Sequence, residues 1–113
     1  MTANRRRGEI AAELDGKSHR LCLTLGALAE LEASYAATDL TALVERFSSG
    51  RLSASDMIRV IGAGLRGAGY ELSDDEVGGM RAEGGVAGFA AIVADLLTTT
   101  FGAAAKAEET QNP

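Results

Sequence analysis

Residues 8–23 read GEIAAELDGKSHRLCL, and the dipeptide Asp15-Gly16 near their centre decides how the chain begins. Asp-Gly between two alternating runs favours a two-residue type I′ turn, because both central positions of that turn need positive φ. Pairing outward sets Leu14 opposite Lys17, Ala12 opposite His19, Ile10 opposite Leu21 and Gly8 opposite Leu23. This register collects the apolar side chains on one face and puts Glu9, Glu13, Ser18, Arg20 and Cys22 on the other, so turn chemistry and side-chain alternation agree. A lone hairpin is marginal in water. Its apolar face requires a helical layer.

After Leu23 the apolar period changes from two to about 3.6. Thr24 is placed to cap a helix with the stripe Leu25, Leu28, Leu31 and Tyr35, leaving Glu30 and Glu32 to water. Thr38-Asp39 opens a second, with Leu40, Leu43, Val44 and Phe47 inward and Ser48-Ser49-Gly50 at its end. Ser53-Ala54-Ser55-Asp56 has the form of a capping box; the helix it starts carries Met57, Ile61 and Leu65 inward and Arg59 and Arg66 outward, and stops over Gly67–Gly69. Ser73-Asp74-Asp75-Glu76 is a second capping box, opening a weak helix that includes Val77 and Met80 and fades at Gly84-Gly85. A last helix, from about Val86 to Thr100, carries Phe89, Ile92 or Val93, Leu96, Leu97 and Phe101. Being the most apolar, it is expected at the centre of the core. The predicted fold is α+β and mostly α: an N-terminal β-hairpin followed by about five α-helices. Residues 1–7 are expected to be a flexible basic N-terminus, 8–102 a single domain, and 103–113 a disordered C-terminal tail without large apolar residues.

Composition sets the remaining bounds. A chain of 113 residues has room for one domain. Alanine and glycine contribute 21 and 14 residues, while Leu, Ile, Val and Phe together number 25, so the core must be thin and self-association is expected to complete it. The net charge of −5 argues against a nucleic-acid binder. One cysteine, Cys22, and one histidine, His19, make neither an intramolecular disulfide nor a zinc site, and fit a reducing cytoplasm. The start, MTANRRRGE, lacks the apolar stretch of a signal peptide. The most apolar segment, Gly84 to Ala105, has Asp95 near its middle, which disfavours a membrane span.

The sharpest chemical motif is Gly62-Ala63-Gly64-Leu65-Arg66-Gly67, a literal G-x-G-x-x-G. In a dinucleotide-binding unit such glycines follow a strand and let the backbone approach a pyrophosphate. Here a capped helix stands where that strand would be, so the glycines read as helix positions that admit a neighbour at close range. Asp74-Asp75-Glu76 suits a helix first turn better than a cation loop. Glu30 and Glu32, two apart on a helix, do not face one another. His19 reads as a packed or edge histidine, Cys22 as a small strand residue, Gly84–Gly88 as a helix break and Arg5-Arg6-Arg7 as a solubilising tail. No catalytic constellation, cofactor site or metal site is expected.

Together, NRRRGEIAAELDGKSHRLCLTLGALAELE, LSASDMIRVIGAGLRGAGYELSDDEV and GFAAIVADLLTTTFG resemble small proteins encoded in gene transfer agent and related phage tail clusters. The resemblance runs from Asn4 to Gly102 and is most specific in Leu21, Leu23, Thr24, Leu25, Gly26, Leu28, Leu31 and Glu32 and in the Ile61–Gly67 segment. That family is described both as a tail tube protein and as a tail assembly chaperone. The resemblance implies a non-enzymatic role in tail morphogenesis, in the bacterial cytoplasm or the finished particle, with the tape-measure protein and the tail tube protein as partners. A tube subunit would be β-rich, so one hairpin among helices favours the chaperone, with a structural tube component as the alternative. For a chaperone of a helical client, Gly62, Gly64, Leu65 and Gly67 are the expected protein-binding positions, since small residues admit a client helix closely.

Overall fold

The computed structural model describes residues 3–110, with side chains from residue 3 to residue 102. Strands β1 (Glu9–Leu14) and β2 (Lys17–Cys22) pair antiparallel in the register the turn dictates, from Leu14↔Lys17 to Glu9↔Cys22. Gly8 and Leu23 lie just outside the ladder. Asp15 and Gly16 have φ of 55° and 74°, the two positive values of a type I′ turn. Ile10, Leu14 and Leu21 are fully buried and Ala12 nearly so. The turn is tied to a distant segment. The Asp15 amide donates to the Arg81 carbonyl at 2.8 Å, the Arg81 amide donates to the Asp15 carboxylate at 2.8 Å, and Ala82 bridges Leu14.

Five helices follow: α1 (Leu25–Tyr35), α2 (Leu40–Ser48), α3 (Ala54–Gly67), α4 (Asp74–Gly78) and α5 (Gly85–Thr110). Thr24 and Asp39 cap α1 and α2 by accepting from the Ala27 and Ala42 amides, at 3.1 and 2.9 Å. Both capping boxes are complete, with Asp56 and Glu76 reaching back to the amides of Ser53 and Ser73. The starts of α1 to α4 are therefore local consequences of the sequence.

The centre of the core is α3, not α5. α3 packs against β2, α1, α4 and α5 and buries Asp56 and every residue from Val60 to Leu65. α5 contributes Val93 and Leu96 to the interior, while Phe89, Ile92, Leu97 and Phe101 are half-buried. Counting large apolar residues favours α5, but centrality follows from small residues that let neighbours approach from several sides. Leu25 and Leu40 are exposed, since helix first turns lie outside the stripe that their successors bury.

Three segments depart from the expected boundaries. Asn4 caps a 3-10 turn, Arg5–Arg7, and Arg5 pairs with Asp95 of α5 at 2.6 Å and reaches Thr99, so this stretch is anchored rather than a free tail; Met1 and Thr2 lie outside the described residues. α4 ends at Gly78, because the chain must turn back to bring Arg81 and Ala82 to the hairpin. α5 runs to Thr110, past Gly102 and into the segment read as a disordered tail; AAAKAEE is rich in strong helix formers even though it has no apolar stripe, and residues 111–113 lie outside the described residues. The stretch Gly85–Gly102 is long and apolar enough to cross a membrane, with a mean hydropathy of 1.5, yet it carries Val93 and Leu96 into the core and Asp95 to Arg5.

Candidate functional site

The glycine motif lies within α3, after its capping box, and not in a strand-to-helix turn. A Cβ on Gly67 would overlap the carbonyl oxygen of Cys22 in β2; one on Gly64 would stand 2.7 Å from the Leu96 side chain of α5 and 3.3 Å from that of Leu21. Beside Gly62 the space is taken by the Asp74 carboxylate and the Arg66 guanidinium. Leu65 is completely buried. The close approach expected of these positions is therefore made, and what approaches is the chain's own strand β2, helix α5 and the start of α4. Neither a pyrophosphate nor a client helix finds open space beside them within the single chain.

Arg66 ties this corner together. It pairs with Glu30 of α1 and, at 3.0 Å, with Asp74 of α4, and donates to the Leu72 carbonyl at 2.8 Å. Glu30 and Asp74 are thus partners of one guanidinium, although the sequence assigned both Glu30 and Arg66 to the solvent. Their pull, with the Glu30 hydrogen bond foremost, raises the Arg66 pKa against the cost of partial burial. His19 stacks at a tilt on Tyr70, ring centres 5.3 Å apart, and the Tyr70 hydroxyl accepts from the Arg20 amide at 3.3 Å, occupying a donor on the outer edge of β2. The Cys22 thiol contacts the Arg7 carbonyl at 3.6 Å, and partial burial raises its pKa, the reverse of an activated nucleophile.

A second polar cluster joins α1, α2 and α3. The Asp56 carboxylate, 2% exposed, accepts from the Tyr35 hydroxyl at 2.5 Å, from the Ser53 amide at 2.8 Å and from Arg46 at 3.2 Å. Burial works against its charge, but the hydrogen bonds from Tyr35 and Ser53 and the nearby Arg46 hold it below the usual carboxylate range. The same burial, with Asp56 alongside, pushes Tyr35 up to about 12. The Tyr35 ring packs edge-on against Phe47 and lies 5.1 Å from each of the Arg46 and Arg59 guanidinium carbons. Each carboxylate oxygen of Asp56 has an internal donor, and the arrangement ties α1, α2 and α3 together.

The open surface lies along the N-terminal half of α3. Between α3, α4 and the start of α5 runs an apolar groove of about 330 Å³, lined among others by Leu52, Met57, Ile58, Met80, Val86 and Phe89. Met57 and Met80 are the two methionines after Met1, and both lie in this groove. Val86 is 74% exposed at its mouth. Unbranched thioether side chains repack around differently shaped apolar partners at low cost, so the groove suits an adaptable polypeptide contact. The sequence reading assigned Met57 to the core and Met80 to a weak helix. Spacing gave no signal of the groove, because Met57 lies two turns before Gly64 on the same stripe of α3 and Met80 follows the end of α4.

No curated protein and no solved structure matches the chain. The model of the family described as "Phage tail tube protein, GTA-gp10" matches residues 7–103, which take in the hairpin, α1 to α4 and most of α5. With that match spanning the hairpin, the glycine-bearing α3 and the methionine-lined groove, the chain belongs to the phage tail tube protein family GTA-gp10.

Proposed function

We propose that this protein is a non-enzymatic tail-morphogenesis factor acting as a tail assembly chaperone, one that holds apolar helical segments of the tape-measure protein until tube subunits polymerise around it. The observation that carries this reading is the methionine-lined groove between α3, α4 and α5. A chaperone must shield apolar side chains and then release them, which favours a shallow site with flexible walls over a deep, fully complementary one. The groove volume suits two or three aliphatic side chains from one face of a helix, an i, i+3, i+7 footprint. In this reading the chaperone acts in the bacterial cytoplasm, self-associates along its client and also meets the tail tube protein.

The family's printed description favours a second reading, a structural component of the tail tube. Against it stands the short two-stranded sheet. Its strands have six residues each, Tyr70 occupies the Arg20 amide and Arg81-Ala82 clamps the turn, which is little sheet from which to build a tube wall. Co-expression with the tape-measure protein, followed by affinity capture and mass spectrometry of both the soluble fraction and purified particles, separates the two. A chaperone co-purifies with soluble tape measure, loses it in Met80→Lys, and is absent from particles. Stoichiometric presence in the particle with no soluble complex overturns the proposal in favour of the tube component.

A further inference from the structure

We propose that α2 is a detachable flap that occupies a helix-binding strip on α1, held shut by the Asp56 carboxylate. α2 is nine residues long and bracketed by two breaks: Ala36 in the left-handed region at φ 52° on one side, and Gly50 at φ 77° on the other. Of its residues only Leu43 and Phe47 are buried, and α1 is its packing partner. One ion pair ties it to α3, Arg46 to Asp56 at 3.2 Å, and an edge-on contact sets Phe47 against Tyr35 of α1. Leu43 and Phe47 belong to the same buried cluster as Ile10, Leu21, Val60, Ile61, Leu65, Val93 and Leu96, but β1, β2, α1, α3 and α5 also pack directly on one another, so opening α2 uncovers the edge of the core on α1 and leaves those contacts in place. A helix this short is not stable alone in water, so undocking and melting are one event, a local opening below the global unfolding free energy.

α2 is its own template for what replaces it. It presents an aliphatic residue, then a cation three positions on and an aromatic at the fourth, Leu43, Arg46 and Phe47, and the cation meets a buried carboxylate. The occupant of the vacated strip is therefore an amphipathic helix with a basic residue beside its apolar stripe, the charge complement of Asp56. Identifying that helix with a tape-measure segment rests on the chaperone reading above; the flap does not.

Hydrogen-exchange mass spectrometry on the full chain tests the device without any client. Amides of residues 40–48 exchange at least about tenfold faster than those of α3, and Arg46→Glu accelerates them further while α3 and α5 keep their wild-type rates. Exchange of 40–48 in step with α3 in the wild-type chain overturns the flap, and uniform acceleration across all helices in Arg46→Glu overturns the latch. A labelled peptide of residues 38–50 then binds the Arg46→Glu chain by fluorescence anisotropy, whereas the same peptide carrying Arg46→Glu does not. Equal binding or no binding of the two peptides overturns the receptive strip, whatever is found for the tape-measure protein.

Discussion

Helix α3 meets β2 and α5 through glycines in its C-terminal half and meets the groove through methionine and isoleucine in its N-terminal half, and the two surfaces differ in what they permit. On the glycine face, backbone and side chains approach so closely that one added methyl has nowhere to go at Gly67. On the groove face, Met57 and Ile58 are half-buried and their neighbours leave open volume. Removing side chains gives one fixed partner at short range. Keeping long flexible ones leaves open apolar volume. In this chain the small residues build the domain, and the surface available to another polypeptide lies where the larger apolar residues are.

The sharpest way to break that contrast is to fill the closed face. Gly67→Ala, set against the Cys22 carbonyl, is expected to cost about 3 kcal/mol and to lower the melting temperature by roughly 12 °C in calorimetry. Gly62→Ala, whose neighbours are the mobile ends of Asp74 and Arg66, should stay within about 1 kcal/mol of wild type, helped by alanine's higher helix propensity. Equal losses at both positions would mean that backbone proximity does not set the cost.

Asp56→Ala comes next, at about 2 kcal/mol, through loss of the α3 capping box and of the bonds from Tyr35 and Arg46. Because Asp56 is held below its ordinary pKa when folded, its contribution is present above the unfolded carboxylate value near about 4 and is lost as pH falls through the folded value. The gap between wild type and Asp56→Ala in urea titrations should therefore narrow on acidification below about pH 4. A gap constant down to pH 2 contradicts the charged role.

The smallest effect is expected on the open face. Met80→Lys, half-buried at the groove, should change stability by under about 0.5 kcal/mol while abolishing the tape-measure capture proposed above. A loss comparable with Gly67→Ala would make the groove part of the structural core and collapse the distinction.

Much of the fold was legible because its signals are local. Asp15-Gly16 set the hairpin register, and Thr24, Asp39 and the two capping boxes set helix starts within one turn. What escaped depends on partners far along the chain. Nothing near Arg5 announces Asp95, nothing near Asp15 announces Arg81, and Glu30 looks solvated until α3 brings Arg66 beside it. The glycines of α3 were recognised as close-approach positions, but a sequence cannot distinguish a neighbour in the same chain from one in another. The groove was missed because it is defined by what three helices fail to fill, and no single period records that. The extension of α5 to Thr110 escaped a search for apolar stripes, since alanine propagates a helix without one.

The clamp of Arg81 and Ala82 on the hairpin turn has a consequence for synthesis. The turn leaves the ribosome early, and a hairpin closes within microseconds. Its clamp lies 66 residues later. At about 5–20 residues per second the hairpin segment, marginal on its own, waits roughly 3–13 s for that clamp, and longer for Val93 and Leu96. Throughout that interval the nascent chain displays Ile10, Leu14 and Leu21 uncovered by α5, so the part made first is the last to be enclosed. Slowing translation after Leu23 lengthens the exposure of that face, and crowding of neighbouring nascent chains on one message becomes the condition under which this small domain is most prone to aggregate.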